Sequence, residues 1–216
     1  MAAGTIILAV TAVAQDTIRS WFYHPTFKVS CSGEPPDCVS VPFTTPEGVF
    51  VTDSIYLRIL VENEGNATAQ TAEVYAKELR VQRLNKKWEV VSSFPPMNLK
   101  WSNIGTMYTR IVPGMGKYCD VGHIVDPTRR HQTSDDAPKL NLANHQTSLA
   151  FDVIAIPNNK THIVGPGEYQ LDIQVAAENA HPIKRTLPIS VRGMWDADAE
   201  KMLRDNVGIS VLPLHK

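Results

Sequence analysis

Residues 169–177 read Tyr-Gln-Leu-Asp-Ile-Gln-Val-Ala-Ala, and this stretch decides the fold class. Every odd position is apolar, whereas positions 170, 172 and 174 carry Gln or Asp. Because successive side chains of a strand point to opposite faces, this period of two predicts a half-buried β-strand. A turn is expected over residues 178–182, and Leu187, Ile189 and Val191 continue the alternation as the hairpin partner.

The same period recurs earlier in the chain. Residues 55–61 are apolar at every odd position, and residues 64–66 supply a turn. A second strand is expected from about residue 72 to 84, where the apolar phase shifts by one position. This shift predicts a β-bulge near Lys77. Shorter alternating stretches predict strands at 88–91, 149–153 and 207–211.

One segment breaks the pattern. Residues 94–144 contain many Pro and Gly and show little periodicity, so they predict a long irregular insertion around short strands at 108–112 and 118–125. Asp196 or Asp198 can cap one short C-terminal helix, because a side-chain oxygen accepts orphan backbone N–H groups. Many strands with a single short helix after residue 25 predict an all-β chain folded as a β-sandwich.

Composition excludes several classes of protein. The chain has 216 residues, 43% of them apolar, with 21 Lys plus Arg against 22 Asp plus Glu and a net charge of −1. An apolar fraction this high with so little net charge is not typical of a disordered chain. A dedicated nucleic-acid binder would show a basic excess, so no nucleic-acid partner is expected. Three Cys are too few for a disulfide-dense mini-domain.

The N-terminus predicts a membrane anchor. Residues 2–14 carry no charge, and the aromatic residues 21–23 suit the headgroup level of a bilayer. We therefore expect an anchor helix and juxtamembrane segment over residues 1–25, followed by the sandwich over 26–216. Two alternatives stay open, which are a signal peptide cut after Ala14 and a buried core helix.

The orientation of that anchor follows from its flanking charges. Arg19 and Lys28 lie on its C-terminal side, and positive charges favour the cytoplasmic side of a membrane. A single-pass protein with its main domain in the cytoplasm is therefore expected, with an exported or periplasmic domain as the alternative. An odd number of Cys fits a reducing compartment.

Two motifs resemble a known type of domain. Residues 60–69 read Leu-Val-Glu-Asn-Glu-Gly-Asn-Ala-Thr-Ala, which resembles the strand–turn–strand opening of bacterial immunoglobulin-like adhesion modules. Residues 166–171 resemble the start of a late strand in such sandwiches, where Tyr169 would fill a tyrosine-corner position. The whole arrangement is similar to uncharacterised bacterial single-pass membrane proteins. The resemblance implies an immunoglobulin-like β-sandwich at a membrane and assigns no catalytic residues.

The most chemically distinctive set is Cys31, Cys38, Cys119 and His123. Three thiolates and one imidazole would make a closed tetrahedral zinc site of the structural type. The spacing lacks the tight C-x2-C pattern, so a Cys31–Cys38 disulfide and free structural thiols are alternatives. No cofactor is expected.

Large apolar residues in the irregular segment suggest a binding surface. Trp101, Met97 and Met107 could be exposed to a protein partner, or could pack over one end of the sandwich.

Neither G-x-S-x-G nor H-E-x-x-H is present, and we expect no enzyme. The leading expectation is a non-catalytic, membrane-anchored interaction module. A structural-zinc or ligand-binding domain of a larger membrane assembly, and an unrecognised hydrolase, are the alternatives.

Overall fold

The computed structural model describes residues 22–45, 47–133 and 135–212. The expected anchor lies outside the described residues up to residue 21. Within the described ranges, no helix is long and apolar enough to cross a bilayer. The strands are β1 (Phe27–Ser30), β2 (Cys38–Thr44), β3 (Phe50–Asn63), β4 (Ala69–Gln82), β5 (Trp88–Val90), β6 (Met97–Asn98), β7 (Lys100–Trp101), β8 (Thr109–Ile111), β9 (Gly116–Val125), β10 (Leu149–Phe151), β11 (Ile163–Val164), β12 (Gly167–Ala177), β13 (Ala180–Val191) and β14 (Val207–Ile209).

Helical structure in the described residues is short. Two 3-10 turns cover Pro127–Gln132 and Pro138–Leu140. One helix, α1 (Ala199–Lys201), continues as a π-helical turn over Met202–Asn206. Its N-cap is Asp198, whose carboxylate accepts hydrogen bonds from the backbone N–H groups of Glu200 and Lys201. The expected short C-terminal helix is confirmed.

The strands form two antiparallel sheets. The first has the order β1-β3-β9-β10-β11, with β2 also paired to β3 and β7 to β9. The second has the order β14-β13-β12-β4-β5, with β6 and β8 also paired to β4. Inward-facing residues of both sheets are almost fully buried, and burial of this apolar surface is the main favourable term in folding. Among them are Ile55, Leu57, Ile59 and Val61 of β3 and Leu171, Ile173 and Val175 of β12. The all-β sandwich prediction is confirmed.

The predicted bulge near Lys77 is present. Asp172 of β12 lies opposite Glu78, and Ile173 lies opposite Ala76, so Lys77 has no partner across the ladder. Ala76 and Leu79 are three positions apart and would point to opposite faces of a regular strand. The extra residue of the bulge lets both of them point into the core.

The short strands predicted at 108–112 and 118–125 are present as β8 and β9, but the predicted irregular insertion over 94–144 is too long. The strand β9 runs through the middle of it and lies in the centre of the first sheet, between β3 and β10. Its last five residues are all buried, because both faces of the sheet are covered there. A strand covered on both faces loses its alternation, which is why the pattern was weak. The irregular part is therefore confined mainly to residues 126–148.

The turn between β3 and β4 carries the chain from one sheet to the other. The buried Asn63 side chain accepts hydrogen bonds from the N–H groups of Thr26 (3.2 Å) and Gly65 (3.0 Å). It donates to the carbonyls of Ala67 (2.8 Å) and Ile111 (2.9 Å). Gly65 packs so closely that a Cβ there would lie 2.3 Å from the His24 carbonyl oxygen. One amide therefore joins the start of β1, the turn and the end of β8.

Replacing Asn63 with Ala should destabilise the fold by about 2–4 kcal/mol, because four backbone groups lose the hydrogen bonds of one buried side chain at once. The measurement is the free energy of unfolding from urea titration. Asn66→Ala is the matched control, since Asn66 lies in the same turn but is exposed. Its loss should stay below about 1 kcal/mol, and equal losses for the two variants would contradict the role given to Asn63.

Candidate functional site

The outer face of the first sheet carries a polar cluster where β3 and β9 pair. Tyr56 lies opposite His123, and Arg58 lies opposite Asp120. Cross-strand partners share a face, and the alternating neighbours of these residues point into the core. The irregular segment that follows β9 covers this face at His123, which is buried, whereas Tyr56, Arg58 and Asp120 are half-buried.

His123 is the centre of this cluster and is buried. Its Nδ1 lies 3.0 Å from Asp152 Oδ2, and its Nε2 lies 2.9 Å from Asp135 Oδ2. The ring of Tyr56 stacks on the imidazole at 5.1 Å between centroids, and Phe43 packs at 5.4 Å. Strand β9, the residue after β10 and the irregular segment are thus held together by one side chain.

The electrostatics make His123 a cation at neutral pH. Burial by itself lowers the pKa of His123, but the charge of Asp152 and the hydrogen bonds that His123 donates to both carboxylates outweigh it and raise the pKa to about 10. Burial alone would raise the pKa of Asp135, yet its hydrogen bond and ion pair with His123 bring that pKa below its usual value. The cluster is therefore an imidazolium between two carboxylates.

Neighbouring groups respond to the same negative charge. The pKa of Tyr56 is raised, first by burial and then by Asp152 and Asp120. Burial also raises the pKa of Asp120, and the charge of Asp152 adds to that effect. Asp120 accepts a hydrogen bond of 2.5 Å from the Ser102 hydroxyl. The carboxylates of this face are thus engaged with groups of the protein itself.

An imidazolium with both nitrogens hydrogen-bonded to carboxylates has no lone pair for a metal or for a nucleophile's proton. The arrangement suits structural positioning. It holds Asp135 of the irregular segment against the sheet.

The four residues of the expected zinc set do not meet at one site. Cys119 lies opposite Ile59 and points into the core, whereas His123 is on the outer face of the same strand. Cys31 and Cys38 lie at the edge formed by β1 and β2. Within the described ranges, no group of three or more His, Cys, Asp or Glu side chains is placed to hold a metal ion.

The carboxylate partners of His123 were not found from the sequence. Asp152 interrupts the apolar run 149–154, and a charge in such a run is a usable signal for a buried ion pair. Asp135 lies in a polar, irregular segment that shows no period. Only the folded chain brings it to the sheet.

The expected interaction surface is corrected. Trp101 is 1% exposed and Met97 is 7% exposed, so neither presents a surface to a partner. The Trp101 indole N–H donates to the carbonyls of Ala72 and Met107, each at 3.1 Å. These residues pack at the end of the core because β6 and β7 belong to the sheets. Met107 is half-buried and borders a shallow cavity of about 470 Å³ beside Met97 and Ile154.

A larger groove of about 800 Å³ lies beside the irregular segment. One wall is the β4–β5 hairpin with Val81, Arg83 and Val90, and residues 137–140 and 158–165 form the rest. We call this feature the basic groove, because its lining includes Arg83, Lys139 and Lys160, and none of the described residues that line it is Asp or Glu. At the rim, Arg83 forms an ion pair with Glu89 at 2.7 Å.

The buried histidine and the basic groove are connected through the chain. Asp135 is two residues before Ala137, the first residue of the 137–140 wall. The buried His162 precedes Ile163 in the other part of that wall, and its carbonyl accepts a hydrogen bond of 2.9 Å from the N–H of Phe151. The His123 cluster therefore positions the 137–140 wall of the groove, and pairing with Phe151 positions the other wall.

Comparisons with protein-family models, with curated proteins and with solved structures find no match for this chain.

The free energy of unfolding should decrease as pH rises above 7, because of His123. A group whose folded pKa is raised, here from 6.5 to about 10, contributes stability that is complete below the unfolded pKa and is lost as pH rises toward the folded pKa. Between pH 7 and 8, the unfolding free energy should drop by about 1 kcal/mol. Denaturant titrations at both pH values measure this drop.

His123→Gln should abolish that slope and lower stability by about 3–5 kcal/mol, since two buried carboxylates lose their counter-charge. The control is His181→Gln, which alters an exposed histidine and should keep the slope. The assignment is wrong if His123→Gln and the unaltered protein show the same pH dependence.

Proposed function

We propose that this chain is a non-catalytic, immunoglobulin-like interaction module that is held at a membrane by its N-terminal apolar segment. The basic groove binds an extended, acidic segment of a protein partner. The observation that carries the proposal is the groove itself, which combines an apolar lining with basic side chains and includes no carboxylate among its described lining residues.

Strand order supports the immunoglobulin-like part of the proposal. The paths β1-β3-β9-β7 and β5-β4-β12-β13 follow the order A-B-E-D and C′-C-F-G of such sandwiches. In addition, the Tyr169 hydroxyl at the start of β12 donates a 2.9 Å hydrogen bond to the Gly165 carbonyl. A tyrosine corner makes the same kind of contact, back to the backbone a few residues upstream.

The size and charge of the groove support a binding role. Its volume of about 800 Å³ lies within the roughly 300–1,000 Å³ common for ligand sites. Val81, Val91 and Ile163 offer apolar contact, while Lys139 makes no ion pair with any described residue. Charge complementarity favours a partner with carboxylates and opposes a basic one.

An extended partner is favoured by the strand that forms one wall. Strand β5 is the last strand of its sheet among the described residues. Hydrogen bonds from Val91 N–H to Leu79 and from Arg83 N–H to Lys87 show that alternate residues of β5 face β4. The backbone groups of Trp88 and Val90 therefore face outward, where a partner strand can pair with them.

The hydrogen bonds of the histidine rings support a non-catalytic role. Across the described ranges, no histidine ring nitrogen is hydrogen-bonded to a Ser, Thr or Cys side chain. A nucleophile activated by a neighbouring base would show such a pair. His123, the buried histidine of the outer face, is instead hydrogen-bonded to two carboxylates and so helps to position the groove.

The test is binding of the full chain to a labelled eight-residue peptide of alternating Val and Glu, followed by fluorescence anisotropy. The Glu peptide should bind, and a peptide of alternating Val and Lys should not. Lys139→Glu and Val90→Glu should each weaken binding about tenfold, equivalent to about 1.4 kcal/mol. Lys184→Glu is the control, because Lys184 is exposed on β13 and does not line the groove.

Equal binding of the Glu and Lys peptides, or equal loss in the Lys184 control, would overturn the peptide assignment. Binding to vesicles of phosphatidylglycerol that Lys139→Glu abolishes, without binding of the Glu peptide, would assign the groove to lipid headgroups.

The membrane tether is tested separately by fractionation of cells that express the full chain. The chain should stay with the membranes after a high-salt wash, and its release would contradict the tether.

A further inference from the structure

Two cysteines meet at one edge of the first sheet. Strands β1 and β2 both pair with β3 along the same side, with Ser30 opposite Leu60 and Cys38 opposite Leu57. Only two residues of β3 separate these partners, so the loop of residues 31–37 leaves the edge and returns almost to the same point. Its two ends are Cys31 and Cys38.

The two thiols lie on the core side of this edge and differ in exposure. Cys31 packs against the same hydrophobic core that contains Cys38, and neither cysteine is in a disulfide. Cys38 is 1% exposed, whereas Cys31 is only partly buried. The Cys31 Sγ also lies 4.0 Å from the Ile209 carbonyl oxygen of β14. By contrast, Cys119 is fully buried in the core.

The loop that joins the pair is held by its own hydrogen bonds. The Asp37 carboxylate accepts from the Ser32 N–H at 2.5 Å and from the Ser32 hydroxyl at 2.8 Å. The Arg58 N–H donates to the Asp37 carbonyl at 3.0 Å, and the Cys38 N–H donates to the Glu34 carbonyl at 3.0 Å. These contacts hold the two ends of the loop, and with them Cys31 and Cys38, beside each other at the edge of the sheet.

We propose that Cys31 and Cys38 are a redox-active dithiol, which a small-molecule disulfide such as glutathione disulfide converts to an intramolecular disulfide. This inference is independent of the function proposed for the basic groove. It assigns a modification site to the β1–β2 edge.

The reaction is two successive thiol–disulfide exchanges. The Cys31 thiolate attacks one sulfur of the donor, which breaks the donor S–S bond, forms a mixed disulfide and releases one thiolate. The Cys38 thiolate then attacks the Cys31 sulfur and releases the second thiolate. The two cysteines lose two electrons and two protons, and the donor disulfide becomes two thiols.

The order of attack follows from exposure and is supported by the acidity of each thiol. The hydrogen bond from Cys38 lowers the pKa of Cys31, although burial and the nearby Asp37 oppose this effect. The same hydrogen bond and burial raise the pKa of Cys38. The accessible thiol with more thiolate character attacks first, and the buried thiol resolves the mixed disulfide.

The disulfide would join the two ends of the 31–37 loop, which lies against the other sheet. A Cβ on Gly33 would approach the Ile209 carbonyl oxygen to 2.9 Å, so the loop packs directly on β14. Oxidation would therefore fix the edge of the first sheet where it meets the last strand of the second.

The test is mass spectrometry of the folded full chain after incubation with glutathione disulfide near pH 8. Free thiols are then alkylated, and the chain is digested with trypsin. Residues 29–58 contain no Lys or Arg before Arg58, so a single tryptic peptide holds both cysteines. This peptide should be unalkylated and lighter by two hydrogens, and dithiothreitol should reverse the change.

Variants separate the two roles. Cys38→Ser should retain glutathione on Cys31, and Cys31→Ser should take up none. Cys119→Ser is the control and should form the disulfide as the unaltered chain does. A persistent mixed disulfide in the unaltered chain, or no oxidation of it at all, would overturn the proposal. Circular dichroism checks that each variant is folded, and unalkylated Cys119 after brief labelling in the absence of denaturant checks that the core is closed.

Discussion

The position of the irregular segment depends on one buried interaction, the hydrogen bonds of the His123 imidazolium to Asp135 and Asp152. Hydrophobic burial between the sheets drives folding, but it does not specify where a polar segment without periodicity should lie. The imidazolium does so, because two carboxylates from different parts of the chain must reach it. The covering of β9 at His123 and the position of the 137–140 wall of the basic groove follow from that requirement.

This cluster has an energetic cost as well as a structural role. One cation and two carboxylates leave a formal charge of −1 in a region largely withdrawn from water, and desolvation offsets much of their mutual attraction. We interpret the cluster as a device for specificity, since an apolar replacement could fill the space without defining one arrangement of the segment. Asn63 has a comparable role, because its one buried amide satisfies four backbone groups from different parts of the chain.

Alternation in the sequence was sufficient to predict β3, β4, β12 and β13, including the bulge at Lys77. It predicted a short strand where β9 lies but not the central position of β9 in its sheet, because a strand covered on both faces has no polar side to mark its period. It also failed for Trp101, whose irregular surroundings suggested a surface although its indole is enclosed by backbone carbonyls. Asp135 could not be predicted, since its burial depends on a histidine that is distant in sequence. Of the expected zinc set, only the Cys31–Cys38 pair proved to be neighbours.

The pairing of β4 with β12 has a consequence for synthesis of the chain. Val81 pairs with Tyr169, so all of residues 82–168 must be made before this pairing can begin. Until then the apolar faces of β3 and β4 have no complete opposing sheet as they leave the ribosome. Topologies dominated by such distant contacts fold slowly, whereas the β12–β13 hairpin is local. We therefore expect the nascent chain to depend on chaperones until its last quarter has emerged, and a truncated product to aggregate.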